Sequence, residues 1–448
     1  FTCDEYTWSY RIMIGSTDTF SRRTGVTVVV ANMVGTGVFT SLGFQLADIQ
    51  SPSVIILLWL LGGVLALCGA LAYAELGAAY PRSGGEYNFV GEVFHPAGGF
   101  VSGWISVTLG FSAPIALVSI TAASYLKTMF PGLSVTWFAI LMVVSVALVH
   151  LGARSGSALF QQTITAIKVL VILAFIAIVP LVMVPVPDLQ WSLGLEEISL
   201  VSTGAFATAL IFVNYAYTGW NAATYIVGEF ESPRSDLPVV LIIGTLFVAV
   251  LYILIHIVFL SSTPMSLMAN QLEIGFVVSE HVFGEGAAKI FSALLAVLLV
   301  STASAMLLTG PRTLFVIGQD FHLFRWLGRE SRSGVPVNAV VALTCLTVTL
   351  IATSSFESII YFSGAVLAFN SLVTVIGVIF SRITQPNLVR PFKVPLYPLP
   401  IVLYAAIMLL TLGFLIRARP AEGVAAVLLI SAGLLLYFVS QKKGIKKK

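Results

Sequence analysis

Long apolar stretches alternate along the chain with short breaks rich in proline, glycine and charge, a pattern typical of a protein that crosses a membrane repeatedly. A membrane-spanning helix needs about 20 mostly apolar residues. Twelve stretches meet that requirement, and no loop between them is long enough to form a soluble domain. The pattern therefore predicts one all-α polytopic membrane domain with twelve transmembrane helices. The stretches lie near 25–47, 54–80, 98–126, 135–152, 156–182, 199–228, 239–261, 289–317, 337–354, 359–380, 397–416 and 422–440.

Composition supports a membrane location and excludes several classes of protein. Of the 448 residues, 58% are hydrophobic and 10% are charged, whereas soluble domains carry about 25% charged residues. The mean hydropathy of +0.99 agrees with this. An ordinary soluble enzyme, a disordered chain and a nucleic-acid binder with a basic face are excluded, because too few charges remain to cover a water-exposed surface.

The placement of basic residues predicts the orientation in the membrane. With the N-terminus in the cytoplasm, 18 of the 23 Lys and Arg residues fall in cytoplasmic loops and tails, and four fall on the outer side. Cytoplasmic loops of membrane proteins carry such an excess. We therefore expect both termini to be cytoplasmic, with residues 1–24 as an N-terminal tail and 441–448 as a basic tail. The expected location is the plasma (inner) membrane.

Two predicted spans contain a glycine-rich interruption at mid-depth, and they occupy matching places in the chain. The first carries Asn-Met-Val-Gly-Thr-Gly-Val-Phe at 32–39, and the sixth carries Asn-Tyr-Ala-Tyr-Thr-Gly-Trp-Asn at 214–221. A single such motif commonly serves close helix packing. Interrupted helices at corresponding positions of two inverted halves instead indicate a transporter's substrate site. Freed N–H groups suit a carboxylate and freed carbonyls suit an ammonium, so the pair predicts a site for an α-amino acid.

With these motifs the sequence resembles the amino acid–polyamine–organocation superfamily of permeases, and within it the L-type amino acid transporter branch. The resemblance extends from about residue 22 to residue 398. Its motifs are Gly-Thr-Gly-Val-Phe at 35–39, Glu-Leu-Gly at 75–77 followed by Tyr-Pro-Arg-Ser-Gly-Gly-Glu-Tyr at 80–87, Ala-Tyr-Thr-Gly-Trp-Asn at 216–221, and Arg-Pro-Phe-Lys-Val-Pro at 390–395.

The resemblance implies a leucine-transporter-type fold in which helices 1 and 6 are broken. Residues 25–182 (spans 1–5) and 199–380 (spans 6–10) would form inverted repeats, and 397–440 would add two peripheral helices. The implied substrate site binds the carboxylate through backbone amides of the first break and the ammonium through carbonyls near Ala31, Val34 and Tyr215. Tyr215 would also be an aromatic gate over the substrate. The candidate substrate-binding residues are Ala31, Val34, Gly35, Thr36, Gly37, Tyr215, Ala216, Gly219 and Asn221.

Lys168 lies in the middle of the fifth predicted span. An intramembrane lysine costs about 3 kcal/mol on insertion scales, so such a residue is a functional candidate, with a buried structural ammonium as the alternative. By resemblance it matches a lysine that takes the place of sodium in sodium-independent permeases and ties the first break to hydroxyls of span eight. The candidate partners are Ser301, Thr302 and Ser304.

Three further expectations concern side chains around the predicted site. Glu75 and Glu229, at cytoplasmic ends of spans, are expected to pair with Arg82, Arg234 or loop amides. By resemblance, Phe259 occupies a place where the L-type branch often has a tyrosine that touches the core. The loss of that hydroxyl would remove one contact of the family.

The sequence carries no pattern for a cofactor, a metal site or a nucleic-acid partner. Its three cysteines are too few for a disulfide framework and have no metal-ligand spacing. Animal L-type transporters bond a heavy-chain subunit through a cysteine after span three, but residues 127–134 contain none. The expected partners are therefore an amino acid and the lipid bilayer, without a disulfide-linked subunit.

The leading hypothesis is a sodium-independent secondary transporter of α-amino acids, neutral ones in the first place, that works by alternating access. Exchange and proton-coupled uptake are both compatible with these residues. A cationic amino acid or polyamine antiporter would need carboxylates facing the site, and the sequence reveals none at mid-depth. An ion channel should show charged rings or filter loops, and a membrane enzyme should show a catalytic cluster. A non-transporting sensor on the same fold stays an alternative.

Overall fold

The computed structural model describes residues 20–152, 157–187, 189–192, 194–331 and 334–444. This part of the chain is helical, with a single isolated β-bridge between Phe20 and Phe230. The helices are α1 Arg22–Met33, α2 Gly37–Asp48, α3 Pro52–Ala79, α4 Glu86–Val93, α5 Pro96–Ile105, α6 Ser112–Lys127, α7 Val135–Gly152, α8 Ser157–Val182, α9 Leu195–Leu200, α10 Gly204–Tyr217, α11 Pro233–Ser262, α12 Met265–Met268, α13 Ile274–Phe283, α14 Glu285–Asp320, α15 Val337–Thr353, α16 Phe356–Thr384, α17 Leu399–Ala418 and α18 Pro420–Gly444.

The predicted all-helical polytopic architecture is confirmed at this level. Among the described residues, nine helical stretches are long and apolar enough to cross a membrane, and three shorter apolar helices accompany them. Large apolar side chains also point outward, including Leu170 and Leu181 on α8 and Leu428 on α18. A belt of exposed leucines would be unfavourable in water and is favourable in lipid. The predicted tails 1–24 and 441–448 lie largely outside the described residues, as does 156 at the predicted start of span five.

Several predicted elements differ in detail from the structure. The predicted span 98–126 consists of α5 and α6 joined by a π-helical segment, Ser106–Gly110. The predicted span 199–228 begins with the short helix α9, and α10 starts only at Gly204, where the hydroxyl of Thr203 accepts a hydrogen bond from the Phe206 N–H at 3.3 Å. Hydrophobicity marks the extent of these segments, but local hydrogen bonding sets where each helix begins.

A buried aromatic cluster packs against the interrupted part of the first span. Trp59 of α3 stacks on His256 of α11 with ring centroids 3.7 Å apart, and it meets Tyr252 edge-on at 5.5 Å. The Tyr217 hydroxyl donates to the Trp59 carbonyl at 2.9 Å. The cluster fixes α3, α10 and α11 relative to one another, and so gives the interrupted segments a rigid neighbour.

Ion pairs join helices at the predicted inner ends, with arginines other than the two expected from the sequence. Glu75 accepts from Arg382 of α16 at 2.6 Å and from the Val394 N–H at 2.7 Å. Glu229 pairs with Arg312 of α14 at 2.9 Å. The expected loop amide is therefore present for Glu75, but both arginine partners come from helices distant in sequence. Sequence proximity was a poor guide because packing brings the ends of distant helices together.

Candidate functional site

The first span is interrupted at the place that the sequence indicates. Helix α1 ends at Met33 and α2 begins at Gly37. The Gly35 N–H donates to the Met33 carbonyl at 2.8 Å, so the Ala31 carbonyl loses the donor that a continuous helix would give it. The first N–H groups of α2 likewise have no partner within their helix. The break therefore offers both acceptors and donors from the backbone.

The sixth predicted span is interrupted as well, and its break is closed by its own residues. Helix α10 ends at Tyr217, and a 3₁₀-helix covers Ala222–Glu229. Thr218 donates twice to the Tyr215 carbonyl, through its N–H at 3.0 Å and through its hydroxyl at 2.6 Å. Gly219 has φ +103°, a conformation that favours glycine.

The two breaks pack directly against each other. A Cβ on Gly37 would lie 2.4 Å from the Ala216 Cα, and a Cβ on Gly219 would lie 2.7 Å from the carbonyl carbon of Asn32. Such approaches leave no room for a side chain at either glycine. A Cβ on Gly35, by contrast, would meet nothing closer than the Thr302 methyl at 3.6 Å. Gly37 and Gly219 are thus required for the close contact between the two breaks, and not for flexibility alone.

Tyr252 joins the two breaks and is a site residue that the sequence reading missed. Its hydroxyl lies 2.6 Å from the Met33 carbonyl oxygen and 3.3 Å from that of Ala216. The expectation that Phe259 marks a lost tyrosine contact stays a prediction, but the hydroxyl that reaches the breaks in this chain is that of Tyr252. Tyr252 lies seven residues earlier on the same helix, about two turns away and on the same face. The signal was present in the sequence, but the turn that faces the breaks is set by packing.

Lys168 of α8 holds the first break from another side. Its Nζ donates to the Val34 carbonyl at 3.0 Å and to the Thr302 hydroxyl at 2.6 Å. The side chain is buried, with 2% exposed. Of the three candidate hydroxyls, Thr302 makes the contact. Ser301 donates instead to the Leu298 carbonyl at 2.7 Å, and Ser304 pairs with His150 at 2.9 Å.

Ser301 and Ser304 do not contact Lys168, for a geometrical reason. Successive residues of an α-helix point about 100° apart, so Ser301, Thr302 and Ser304 cannot all face Lys168.

Two of the three carbonyls proposed for the substrate ammonium are also engaged. Val34 accepts from Lys168, and Tyr215 accepts twice from Thr218. Ala31 is the predicted carbonyl whose helical donor is removed by the break.

Asn221 serves a buried carboxylate that the sequence placed in a loop. Its Nδ2 donates to Glu86, which also accepts from the hydroxyls of Tyr225 at 2.8 Å and Tyr73 at 3.0 Å. Glu86 is 2% exposed. Burial raises the pKa of this carboxyl, which lies between the membrane-crossing helices at the start of α4. Asn221 is a candidate substrate-binding residue from the sequence, and in the structure its amide anchors the 3₁₀-helix to Glu86.

Tyr215 and Ala216 lie on the buried side of α10. Tyr215 is 5% exposed and lines a small cavity of about 50 Å³ between α3, α10, α16 and α17, together with Leu65 and Tyr404. Ala216 forms the contact surface for Gly37. The structure thus brings Ala31, Gly35, Gly37, Ala216 and Gly219 into one region, and it places the Tyr215 side chain among the helices that flank that region.

Contacts close the molecule above and below the two breaks. On the predicted outer side, Phe44 of α2 stacks on Phe212 at 5.0 Å and on Phe356 at 6.0 Å. On the predicted inner side, Arg22 at the start of α1 pairs with Asp236 of α11 at 2.6 Å. These contacts shield the backbone donors and acceptors of the breaks from water. Away from water, such groups bind a polar ligand more strongly.

Comparison with known proteins gives one family model and several similar transporters. Residues 20–438 match the family model described as amino acid permease. The chain is 29% identical over 425 residues to the b(0,+)-type amino acid transporter 1 of Mus musculus, an alignment that covers 93% of this chain and 86% of the mouse protein. Identity to the rat protein of that name (Rattus norvegicus) is 30%, with the same coverage. Similarity to the large neutral amino acids transporter small subunit 2 of Mus musculus is 27% over 425 residues, covering 92% of this chain and 79% of the relative.

Proposed function

The chain belongs to the amino acid permease family, and we propose that it carries α-amino acids across the membrane by alternating access, without sodium. The observation that supports this most strongly is the pair of facing helix breaks. Backbone groups freed from helix pairing are tolerated inside a membrane only where they are buried in protein or line a cavity. Here they are buried, opposed and drawn from two matching segments of the chain.

The proposed binding mode uses the polarity of the first break. The substrate carboxylate binds the N–H groups of Thr36 and Gly37 at the start of α2, where the helix dipole favours an anion. The third candidate, the Gly35 N–H, donates to the Met33 carbonyl. The ammonium binds the Ala31 carbonyl, which lacks its helical donor. Tyr215 covers the substrate from the predicted outer side as an aromatic gate. Alternating access then moves α1 and the 3₁₀-helix after α10 relative to the helices around them.

The proposed architecture is the leucine-transporter-type arrangement of twelve membrane-spanning helices. Residues 25–182 and 199–380 form the two inverted repeats, and 397–440 form the peripheral pair. Its support is that the two broken segments each stand at the start of one repeat. With both termini in the cytoplasm, the basic residues follow the positive-inside rule. The protein works in the plasma membrane without a disulfide-linked subunit, because the loop 127–134 offers no cysteine for one.

Sodium independence follows from the position of Lys168. Its ammonium already engages the Val34 carbonyl and the Thr302 hydroxyl, which are oxygen ligands of the type that a hard cation uses. A second cation beside it would be repelled strongly in a site of low dielectric. The lysine therefore replaces a coupling ion and keeps the first break attached to α14.

The proposed substrates are neutral amino acids. The broken segments contribute glycine, alanine and aromatic residues, and the nearby carboxylate of Glu86 already accepts three hydrogen bonds from neutral groups. One relative is named for large neutral amino acids, which agrees with this preference. A cationic substrate would need an acidic partner that is free to turn toward it.

Proton-coupled uptake is the second candidate, because of Glu86. The groups that face its carboxyl are Tyr73, Asn221, Tyr225 and, farther away, Tyr404, and none of them carries a positive charge. A buried carboxyl with a raised pKa holds its proton to a higher pH than an exposed one, so it is a candidate to take up and release a proton. Two of its three donors, Asn221 and Tyr225, cap and form the 3₁₀-helix after the sixth break, so a change in its charge alters the attachment of that segment.

Uptake into proteoliposomes tests the proposal. The purified chain is reconstituted, and uptake of a radiolabelled amino-acid panel is measured with sodium or choline outside, with and without internal amino acid, and with and without a pH gradient. We expect uptake of neutral amino acids that is unchanged when choline replaces sodium. Stimulation by internal amino acid identifies an exchanger, and stimulation by an inward proton gradient identifies a symporter. Protein-free liposomes are the control, and absence of uptake across the panel would favour a sensor on the same fold.

A further inference from the structure

Three hydroxyl groups lead from Glu86 into the interior of the bundle, and we call Tyr73, Ser371 and Tyr404 the hydroxyl relay. Tyr73 of α3 donates to the Glu86 carboxylate at 3.0 Å. Ser371 of α16 interacts with the hydroxyls of both Tyr73 and Tyr404. Thr374 also lies near Tyr73, but its own hydroxyl donates to a carbonyl of its helix at 2.9 Å. Ser371 is therefore the hydroxyl that continues the chain from Tyr73 to Tyr404.

Each member of the hydroxyl relay can donate one hydrogen bond and accept another. A hydroxyl carries one donor and two acceptor lone pairs. Tyr73 can thus donate to Glu86 and accept from Ser371, while Ser371 accepts from Tyr404. The Tyr73 ring is fully buried and meets the ring of Trp220 edge-on at 4.6 Å, which holds its hydroxyl at the carboxylate.

The far end of the hydroxyl relay lies at the cavity of about 50 Å³ beside Tyr215. Ser371 and Tyr404 both line this cavity, as do the polar side chains of Asn214 and Thr411. A water molecule needs about 10–15 Å³ of such volume and two to four polar partners. The cavity therefore has room for about three water molecules and offers the groups that would bind them.

The cavity extends from the hydroxyl relay toward the predicted outer side. Along α17 its lining runs from Tyr404 to Leu415, a rise of about 16 Å. Leu415 lies three residues before the end of that helix at Ala418. In the opposite direction, Arg82 in the loop before Glu86 has a side chain that is 46% exposed at the predicted cytoplasmic face. The cavity and the relay together thus extend across most of the bundle.

The groups that face the Glu86 carboxyl are neutral on each packed element. They are Tyr73 of α3, Asn221 and Tyr225 of the segment after the sixth break, and Tyr404 of α17. None of them carries a positive charge that would compete with an arriving proton. Hydrogen bonds to an ionised acceptor are about twice as strong as those to a neutral one, so protonation of Glu86 loosens the attachment of the 3₁₀-helix.

We propose that the cavity and the hydroxyl relay form the route by which a proton from the outer side reaches Glu86. A proton on cavity water passes to Tyr404, Tyr404 passes its own proton to Ser371, and Ser371 passes its own to Tyr73. Tyr73 then gives its proton to the carboxylate. Each hydroxyl regains the proton that it gives, so only the carboxylate changes charge. Movement of the 3₁₀-helix, which covers the carboxyl, then releases the proton to the cytoplasm. This inference rests on the proposed transport in its proton-coupled form.

Gradient-driven uptake and exchange, measured on the same proteoliposomes, test the hydroxyl relay. The probe is the neutral amino acid of the panel that is transported best. Uptake is driven by an inward proton gradient without internal amino acid, and a trapped pH-sensitive dye reports proton entry. Exchange is measured with internal amino acid and equal pH on both sides, a condition that requires no net transfer of protons to Glu86.

Two variants remove one hydroxyl each and keep most of the packing. They are Tyr404→Phe and Ser371→Ala. Ser363→Ala is the matched control, because Ser363 is buried on the same helix outside the cavity and its hydroxyl donates to the Ile359 carbonyl at 2.6 Å.

We expect Tyr404→Phe and Ser371→Ala each to lower gradient-driven uptake and proton entry about tenfold, with exchange within about twofold of the unmodified protein. Ser363→Ala should match the unmodified protein in both assays. An equal fall of uptake and exchange, or no fall of gradient-driven uptake, would overturn the relay. An unmodified protein that exchanges amino acids without responding to the proton gradient would overturn it as well. If the unmodified protein shows neither uptake nor exchange, the proposed transport itself has failed, which is a distinct outcome.

Discussion

The two helix breaks differ in what holds them in place. The first is fixed from outside by side chains of three other helices, namely Lys168, Thr302 and Tyr252. The sixth is fixed largely from within, by the double hydrogen bond of Thr218 and the left-handed backbone of Gly219. One break is therefore a property of the assembled bundle, and the other is largely encoded in its own residues. Distant changes should affect the first break, whereas local changes should affect the second.

The largest effect is expected when the external support of the first break is removed. Lys168→Ala takes away two buried hydrogen bonds of a charged donor, each worth about 1.5–3 kcal/mol, and leaves the Val34 carbonyl and Thr302 without the ammonium. We expect transport to fall about 10- to 100-fold with protein still present in the membrane. Lys127→Ala, at an exposed lysine, is the control and should transport normally. A fully active Lys168→Ala protein would show that the first break does not depend on support from other helices.

A local change should damage the sixth break next most severely. Gly219→Ala forces a side chain to φ +103° and to within 2.7 Å of the Asn32 carbonyl carbon. We expect a loss of about 2–3 kcal/mol in stability, measured as a lower midpoint of thermal unfolding in detergent. Gly204→Ala is the matched control, because a Cβ there meets nothing within 4 Å. Equal midpoints for the two variants would show that the sixth break does not depend on its glycine.

Removing the Tyr252 hydroxyl, which links the two breaks, should have a smaller and more specific effect. Tyr252→Phe removes one hydroxyl and keeps the ring packing against Trp59. A neutral hydrogen bond contributes about 1 kcal/mol, so we expect roughly a fivefold lower kcat/KM with a nearly unchanged unfolding midpoint. Phe259→Tyr cannot restore it, since that residue lies two turns away. Recovery of transport in the Tyr252→Phe, Phe259→Tyr double variant would contradict the assignment of the link to Tyr252.

The smallest effect concerns pH and tests what ties down the segment after the sixth break. Because burial raises the pKa of Glu86, the folded protein holds this proton more tightly than the unfolded chain does. The stabilisation is present at low pH and is lost as pH rises through the folded pKa. Glu86→Gln keeps the shape and cannot ionise, so its unfolding midpoint should gain on that of the unmodified protein as the pH rises above the ordinary carboxyl pKa. Glu92→Gln, at an exposed glutamate of the same helix, should track the unmodified protein. A pH-independent difference for Glu86→Gln would refute a proton on this carboxyl.

The sequence predicted the interrupted positions because glycines near the middle of a span can be read directly from the sequence, and the long apolar stretches predicted an all-helical membrane protein. It did not predict which turn of α11 faces the breaks, and so Tyr252 was not among the expected site residues. It also failed for Glu86, which follows Pro-Arg-Ser-Gly-Gly and looked like a loop residue. That carboxylate is buried because α4 folds back against α3, where Phe89 meets Tyr73 edge-on at 5.7 Å. A helix that folds back in this way leaves no periodic pattern in the sequence.

The Tyr252 hydroxyl carries a single proton, yet it stands between two carbonyl oxygens, those of Met33 and Ala216. One proton serves one acceptor well at any moment. The shorter distance, to Met33, indicates which of the two it serves here. The Ala216 carbonyl oxygen is thus only weakly hydrogen-bonded by Tyr252, and it can accept a further bond from another N–H or O–H group. The two breaks therefore share one donor, and a shift of either break changes the hydrogen bonding available to the other.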